Sequence, residues 1–417
     1  MQLKKLFIAT RGNFLPLLAG NVVSKLVLAF GGIFLAKYYG PERYGFYNVF
    51  VSYVLIVSMI ASLRLENIIV LTDREDAARN LFRAILWVGM VFIPVFFVLL
   101  LFTGVPFFEK PEIPVYIYIL CGLCCLFTLV SNAFAELFTR LGRFRVLATG
   151  TALSGFLTVL LQLVFLLTGV KDWGLPLGLA LSVFITIVYF GIKDHSRFSF
   201  PDLQYVKKTV SAHPGIIRYT FLSDIINNIA NNSIPILILG YFSQKEAGVF
   251  SMAMKAISIP MLILHQSASR VFFKKATALF HERPAALRAF VRRISYNSAL
   301  LTLFFVIVMN TVGVYVLNRY FGASWNNIGV YILILSFWIV SRSAVIIISP
   351  VTMVIRKNHY SLLFNVYFLL ITFLAFYLGA LKESLPLAVS LFSFLSGAGY
   401  LVLLFFIMSV LKQYENV

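Results

Sequence analysis

The sequence predicts an all-α polytopic membrane protein, with twelve transmembrane helices arranged as two six-helix repeats around a central cavity. Three observations carry that prediction. The first is composition: 60% of the 417 residues are hydrophobic, 12% are charged, and the mean hydropathy is +0.91. Soluble domains hold about 45–50% apolar and about 25% charged residues, so a soluble chain with this balance would aggregate. The second is a series of apolar runs of about 20 residues, the length that crosses a bilayer core. The third is an internal echo, in which the surroundings of Tyr38 and Gly45 return at Tyr241 and Gly248.

Taken in order, the runs lie near 14–36, 44–63, 84–104, 115–138, 147–168, 174–192, 217–241, 247–269, 294–317, 328–350, 362–381 and 385–411. Arg11 and Asn13 follow the basic start at Lys4 and Lys5, and no small-residue cleavage site follows a short apolar core. The first run is therefore a spanning helix rather than a signal peptide. Between runs one and two, Gly40 suits a helix end, Pro41 the first position of the next helix, and Glu42 its positive end. The tyrosines around them suit a membrane–water boundary. A polar connection at 193–216, with Pro201 and Pro214, divides an N-terminal half (1–192) from a C-terminal half (217–417).

The echo extends into the helices. At the same offset Asn21, Ser24 and Lys25 fall on Asp224, Asn227 and Asn228, while Ser52 falls on Lys255 and Ser62 on His265. Six helices per half gives both halves one orientation, related by an axis along the membrane normal, with the substrate expected between them near the midplane. Lys and Arg in alternate connections number 25 on one side and 7 on the other, which places both termini in the cytoplasm. The net charge of +19 thus reads as a topology signal and an anionic-lipid contact, with no nucleic acid as partner.

Several chemistries are not indicated. Cys121, Cys124 and Cys125 share one apolar run with no histidine or second cysteine pair nearby, and the five histidines lack metal-ligand spacing. Neither a transition metal nor a disulfide is expected. No glycine-rich phosphate loop ending in Lys-Ser/Thr is present, so nucleotide hydrolysis is not expected either.

The intramembrane polar residues carry the functional expectation. A charge at the centre of a spanning helix costs on the order of 2.5–3.5 kcal/mol, so it tends to face a cavity or a partner. Lys25 shares a stripe with Asn21 and Ser24 in the first run. Ser251, Lys255, Ser258, His265 and Ser269 follow helical spacing in the eighth, Arg64 ends the second, and Arg342 lies in the tenth. Together the four cations make the expected cavity positive. Each has a plainer reading beside it: Lys25 and Lys255 can snorkel or join structural pairs, Arg64 fits a topology signal, and Arg342 fits helix packing. In the seventh run Asp224, Asn227, Asn228 and Asn231 form an oxygen-rich stripe suited to Na⁺ at Asp224 or to a proton on it, with Asn365 a weaker second ligand. The same stripe also reads as structural, with Asp224 neutralising a cavity lysine. Glu136 and Arg140 read as a local ion pair.

On these residues the chain resembles bacterial polysaccharide flippases, the O-antigen and exopolysaccharide branch of the multidrug/oligosaccharidyl-lipid/polysaccharide exporter superfamily. The resemblance spans essentially the whole chain. It rests on Ala-Lys-Tyr-Tyr-Gly-Pro-Glu-Arg-Tyr-Gly at 36–45, where the family shows Leu-Gly-Pro-x-x-Tyr-Gly, on the Gln-Lys-Glu-Ala-Gly-Val-Phe echo at 244–250, and on six plus six helices. It implies a non-enzymatic flippase of the bacterial inner membrane. Its substrate would be an undecaprenyl-pyrophosphate-linked oligosaccharide repeat unit, moved from the cytoplasmic to the outer leaflet by alternating access during lipopolysaccharide or exopolysaccharide synthesis. The implied coupling is antiport with Na⁺ or H⁺ and no other cofactor; the implied neighbours are the bilayer and a polysaccharide polymerase, with the chain itself a monomer.

Related lipid II flippases resemble this chain in placing basic residues in helices 1, 2 and 8, where Lys25, Arg64 and Lys255 stand. Two of these are Lys, a point charge rather than a bidentate phosphate clamp. The lipid II branch adds two helices beyond the twelfth, whereas this chain ends at Val417, which favours the polysaccharide branch. Two rivals remain: a cation-coupled multidrug exporter, which needs more cavity carboxylates, and a membrane-embedded polysaccharide polymerase or ligase, which needs a large outside loop.

Overall fold

A computed structural model describes residues 2–72, 74–103, 115–194, 200–211, 221–282, 284–355, 357 and 359–413. Lys110, His195, His213 and Pro214 lie outside the described residues, as do the side chains of Asn21 and of the N-terminal basic residues. The described chain is helical throughout, with no strand among these residues. The elements are α1 (Gln2–Ser62), α2 (Glu66–Leu71), α3 (Glu75–Thr103), α4 (Val115–Arg140), α5 (Phe144–Leu167) and α6 (Gly174–Lys193). Next come α7 (Leu203–Ser211), α8 (Leu222–Asn232), α9 (Ile234–Tyr241), α10 (Gln244–Glu282) and α11 (Pro284–Val308). After a π-helical turn at Met309–Gly313 follow α12 (Val314–Phe321), α13 (Ile328–Ile346), α14 (Val351–Val354), α15 (His359–Leu381) and α16 (Leu385–Lys412).

Each of the twelve expected spans falls on helix within the described residues. α1 holds two of them, joined at Gly40, whose φ of 82° and ψ of 165° interrupt the helical backbone. That region is essentially closed to residues with a side chain. α8 and α9 form the seventh span, broken at Ser233 ahead of Pro235, and α10 forms the eighth. Nine stretches among the described residues are long and apolar enough to cross a bilayer, Val23–Ser62 counting once for two spans. Their outer faces carry large apolar side chains such as Phe30 and Phe405, about 70% and 68% exposed, as lipid contact requires and water would penalise.

The chain separates into two compact units, Met1–Tyr39 with Phe46–Asn228, and Gly40–Gly45 with Ile229–Val417. The division falls inside α8 rather than in the 193–216 connection. Part of that connection is itself helical: Asp202 Oδ1 accepts from the Gln204 and Tyr205 amides and starts α7, which packs on α3 within the first unit.

Within the first unit α5 and α6 approach closely because Gly178 leaves room for Gln162. Gln162 Nε2 then donates to the Leu175 carbonyl at 2.9 Å, and Thr158 and Ser182 share a 2.6 Å hydroxyl contact. Small residues with polar cross-links are how helices associate in lipid, where apolar attraction between them is absent. Arg79 reaches the buried Asp194 at 3.0 Å and Glu75 at 2.8 Å, which ties the start of α3 to the end of α6. Cys121, Cys124 and Cys125 are buried, free thiols on α4. Arg140, expected to pair with Glu136, donates to the Thr72 carbonyl at 2.6 Å.

In the second unit the Gly40–Gly45 turn lies against the start of α10. Gln244 Nε2 donates to the Glu42 carbonyl at 3.0 Å. A methyl at Gly45 would stand 2.8 Å from the Gly248 nitrogen, and one at Gly248 would collide with the Pro41 carbonyl. The two glycines that the internal echo aligns therefore pack on one another, which explains why both lack a side chain.

Candidate functional site

The first unit gathers charge at the end of α1. Leu63 and Arg64 adopt left-handed backbone, with φ of 50° and 54°, and this turns the chain sharply into α2. Such conformations cost a non-glycine residue about 1–3 kcal/mol and mark sites that the surroundings hold in place. The turn delivers the Arg64 guanidinium to two carboxylates. Its Nε lies 3.0 Å from Asp224 Oδ2, and its Nη1 lies 3.5 Å from Glu66 Oε1. Ser62 donates to Glu66 Oε1 at 3.1 Å, while Glu66 Oε2 is buried with no hydrogen-bond partner among the described residues. Glu136 on α4 stands within electrostatic reach of both Glu66 and Arg64. Asp224 stands in the first turn of α8. One guanidinium thus serves three carboxylates, a cluster able to hold a proton or to exchange Arg64 for another cation.

Lys25, half-buried on α1, belongs to the first unit as well, next to Ser24, whose side chain fills the space left by Gly155.

The second unit holds the other predicted cations, both against aromatic rings. Lys255 Nζ donates to the Tyr44 hydroxyl at 2.9 Å and sits 4.8 Å from the Tyr44 ring centre. Tyr44 is buried and set edge-on to Trp325, 5.9 Å away. The Arg342 guanidinium lies 4.9 Å from the Trp338 ring centre. Cation–π contacts hold a positive charge in an apolar setting without neutralising it. Arg342, Trp338, Asn231, Ser258 and His265 line a cavity of about 240 Å³. A wider groove of about 800 Å³, lined by Asn310, Asn318, Asn326 and Asn327, has no ionisable side chain on its wall among the described residues.

Of the predicted site residues, Arg64 and Asp224 meet, and Arg342 and Asn231 share a cavity wall. Asn228 follows Asp224 by one helical turn on α8, and Asn365 is half-buried on α15. Lys25 and Lys255 belong to different units. Sequence reasoning missed Glu66, Tyr44 and Trp338 as partners. Ser62-x-x-x-Glu66 is legible as an i, i+4 pair, but Tyr44 and Lys255 stand 211 residues apart and no local signal joins them.

Residues 11–273, more than half of the chain, match the family described as polysaccharide biosynthesis protein. The chain belongs to that family. No curated protein sequence matches this polysaccharide biosynthesis protein. Among solved structures it is similar to a lipid II flippase in an inward closed conformation, at 14% identity and a TM-score of 0.67, covering 93% of this chain and 86% of that one. It is also similar to an inward-facing multidrug resistance MATE family transporter of the MOP superfamily, at 15% identity and a TM-score of 0.58, covering 93% and 96%. A MOP superfamily transporter from Pyrococcus furiosus, described as having reversed binding-pocket polarity, matches at 14% identity and 0.55 over 96% and 95%. At these identities the likeness establishes the fold alone: this family member shares the multi-pass helical fold of those structures.

Proposed function

We propose that the protein flips an undecaprenyl-pyrophosphate-linked oligosaccharide repeat unit from the cytoplasmic to the outer leaflet of the bacterial inner membrane by alternating access. The observation that carries this reading is the pair of intramembrane cations set against aromatic rings, Lys255 on Tyr44 and Arg342 on Trp338, in a chain of the polysaccharide biosynthesis family. A lipid pyrophosphate is too polar to cross hydrocarbon unaided; Lys255 attracts its phosphate on this reading, and Arg342 offers positive charge to the glycan. Lys25 and Arg64 supply further positive charge on this reading, and the product would pass to a polysaccharide polymerase.

Coupling to a Na⁺ or H⁺ gradient is assigned to Asp224, supported by its place beside Arg64, which also neighbours Glu66 and Glu136. A proton or cation on the carboxylates frees Arg64 for substrate phosphate, so ion and substrate would bind the cluster in alternation. In this scheme Asn228 and Asn365 remain candidate oxygen ligands, whereas Asn231 lines the Arg342 cavity.

Complementation of a flippase-null strain at matched membrane levels tests the proposal. A charge-assisted bond is worth roughly 1.5–3 kcal/mol, so its loss weakens binding about 10- to 150-fold. Lys25→Ala and Lys255→Ala should each impair surface polysaccharide, with Arg restoring more than Gln. Full restoration by both Gln variants would show that these lysines do not hold pyrophosphate.

A further inference from the structure

The 240 Å³ cavity in the second unit is smaller than the roughly 300–1,000 Å³ pockets that take drug-sized ligands. It has room for a single sugar-sized group and not for a whole glycan. Its polar groups include the Arg342 guanidinium, the Asn231 amide and the Ser258 hydroxyl. Trp338 carries Arg342 on its ring and is only 2% exposed, so it fixes the guanidinium rather than meeting a ligand. Among the described residues the Ser258 hydroxyl donates to the Met254 sulfur, 3.6 Å away, a weak acceptor. Ser298 Oγ donates to the Ser343 carbonyl at 2.7 Å, so toward His265 Nε2 at 3.5 Å it can only accept. With the Nε2 proton directed at Ser298, Nδ1 of His265 is left as an acceptor. No carboxylate lines the cavity among the described residues, and Met254 and Ile346 add an apolar wall.

These features select a ligand by charge count. One guanidinium balances one carboxylate, and its fork matches that group bidentately. A diphosphate would leave uncompensated charge in a low-dielectric pocket and would make no use of the apolar wall. A Na⁺ ion would meet Arg342 and a wall without anionic oxygen. We propose that this pocket reads one acidic sugar of the transported glycan, its carboxylate on Arg342, a ring hydroxyl on His265, and its C–H face on Met254 and Ile346. This deepens the flippase reading and rests on it, by making a uronic acid the substrate class.

The test uses the purified full chain in nanodiscs and follows tryptophan fluorescence with free glucuronate, glucose and inorganic pyrophosphate as probes. Glucuronate should bind saturably, at least 10-fold more tightly than glucose, and saturating pyrophosphate should not displace it. Arg342→Gln should weaken glucuronate at least 10-fold and leave glucose unchanged, while Arg342→Lys keeps part of the affinity. Trp338→Phe should remove the fluorescence response, with calorimetry giving the affinity. Equal binding of glucuronate by wild type and Arg342→Gln, or no binding, overturns the pocket assignment, as does displacement of glucuronate by pyrophosphate. Because this assay involves no transport, such a failure is distinct from loss of the flippase reading, which complementation by the Lys25 and Lys255 variants decides.

Discussion

Arg64 occupies a left-handed backbone that most residues avoid, and its reward is a pair of carboxylates at 3.0 and 3.5 Å. If Asp224 carries the coupling ion, Asp224→Asn should leave membrane level intact, reduce flux about 10-fold or more, and abolish its response to a Na⁺ or pH gradient. A loss of that size corresponds to about 1.4 kcal/mol or more. Flux measured in vesicles that keeps its gradient dependence would make the Arg64–Asp224 pair structural. Arg79 offers a contrast, since its partner Asp194 is buried, with a side chain only 2% exposed. Arg79→Ala removes this buried ion pair and should destabilise the protein by about 3 kcal/mol, read as a lowered unfolding temperature in detergent.

At the scale of elements, glycines separate conformational from steric demands. A methyl on Gly40 would meet nothing within 4 Å, yet the φ of 82° excludes one; Gly248 has helical backbone but abuts the Pro41 carbonyl. Gly40→Ala and Gly248→Ala should each cost about 1–3 kcal/mol, for strain in one case and overpacking in the other. Gly191→Ala meets open space in α6 and should be neutral or stabilising by up to about 1 kcal/mol. Thermal unfolding of the three variants checks the ordering. The same scale shows where the pattern misled: α7 forms inside a stretch read as a linker, because Asp202 caps it and α3 gives it a surface.

For the whole molecule, the excess of Lys and Arg on one set of connections predicts cytoplasmic termini. Lys207 on α7 and Lys245 at the start of α10 are both exposed, and the three native cysteines are buried, so cysteine substitutions at the two lysines give clean probes. An impermeant thiol reagent applied to intact cells should label Lys245→Cys and leave Lys207→Cys unlabelled; the reverse pattern would invert the topology.

Hydropathy and charge counting needed no contact to work, because every spanning helix must be apolar over about 20 residues regardless of its neighbours. From that alone came the twelve helices and the membrane setting, while the repeat carried by Gly45 and Gly248 came from the echo in the sequence itself. The mutual packing of those glycines, the Tyr44–Lys255 bond and the carboxylates around Arg64 were decided only by tertiary structure. Each joins residues far apart in the chain or across a break between helices. Helical periodicity specifies which face a residue occupies, but not which distant face folds against it.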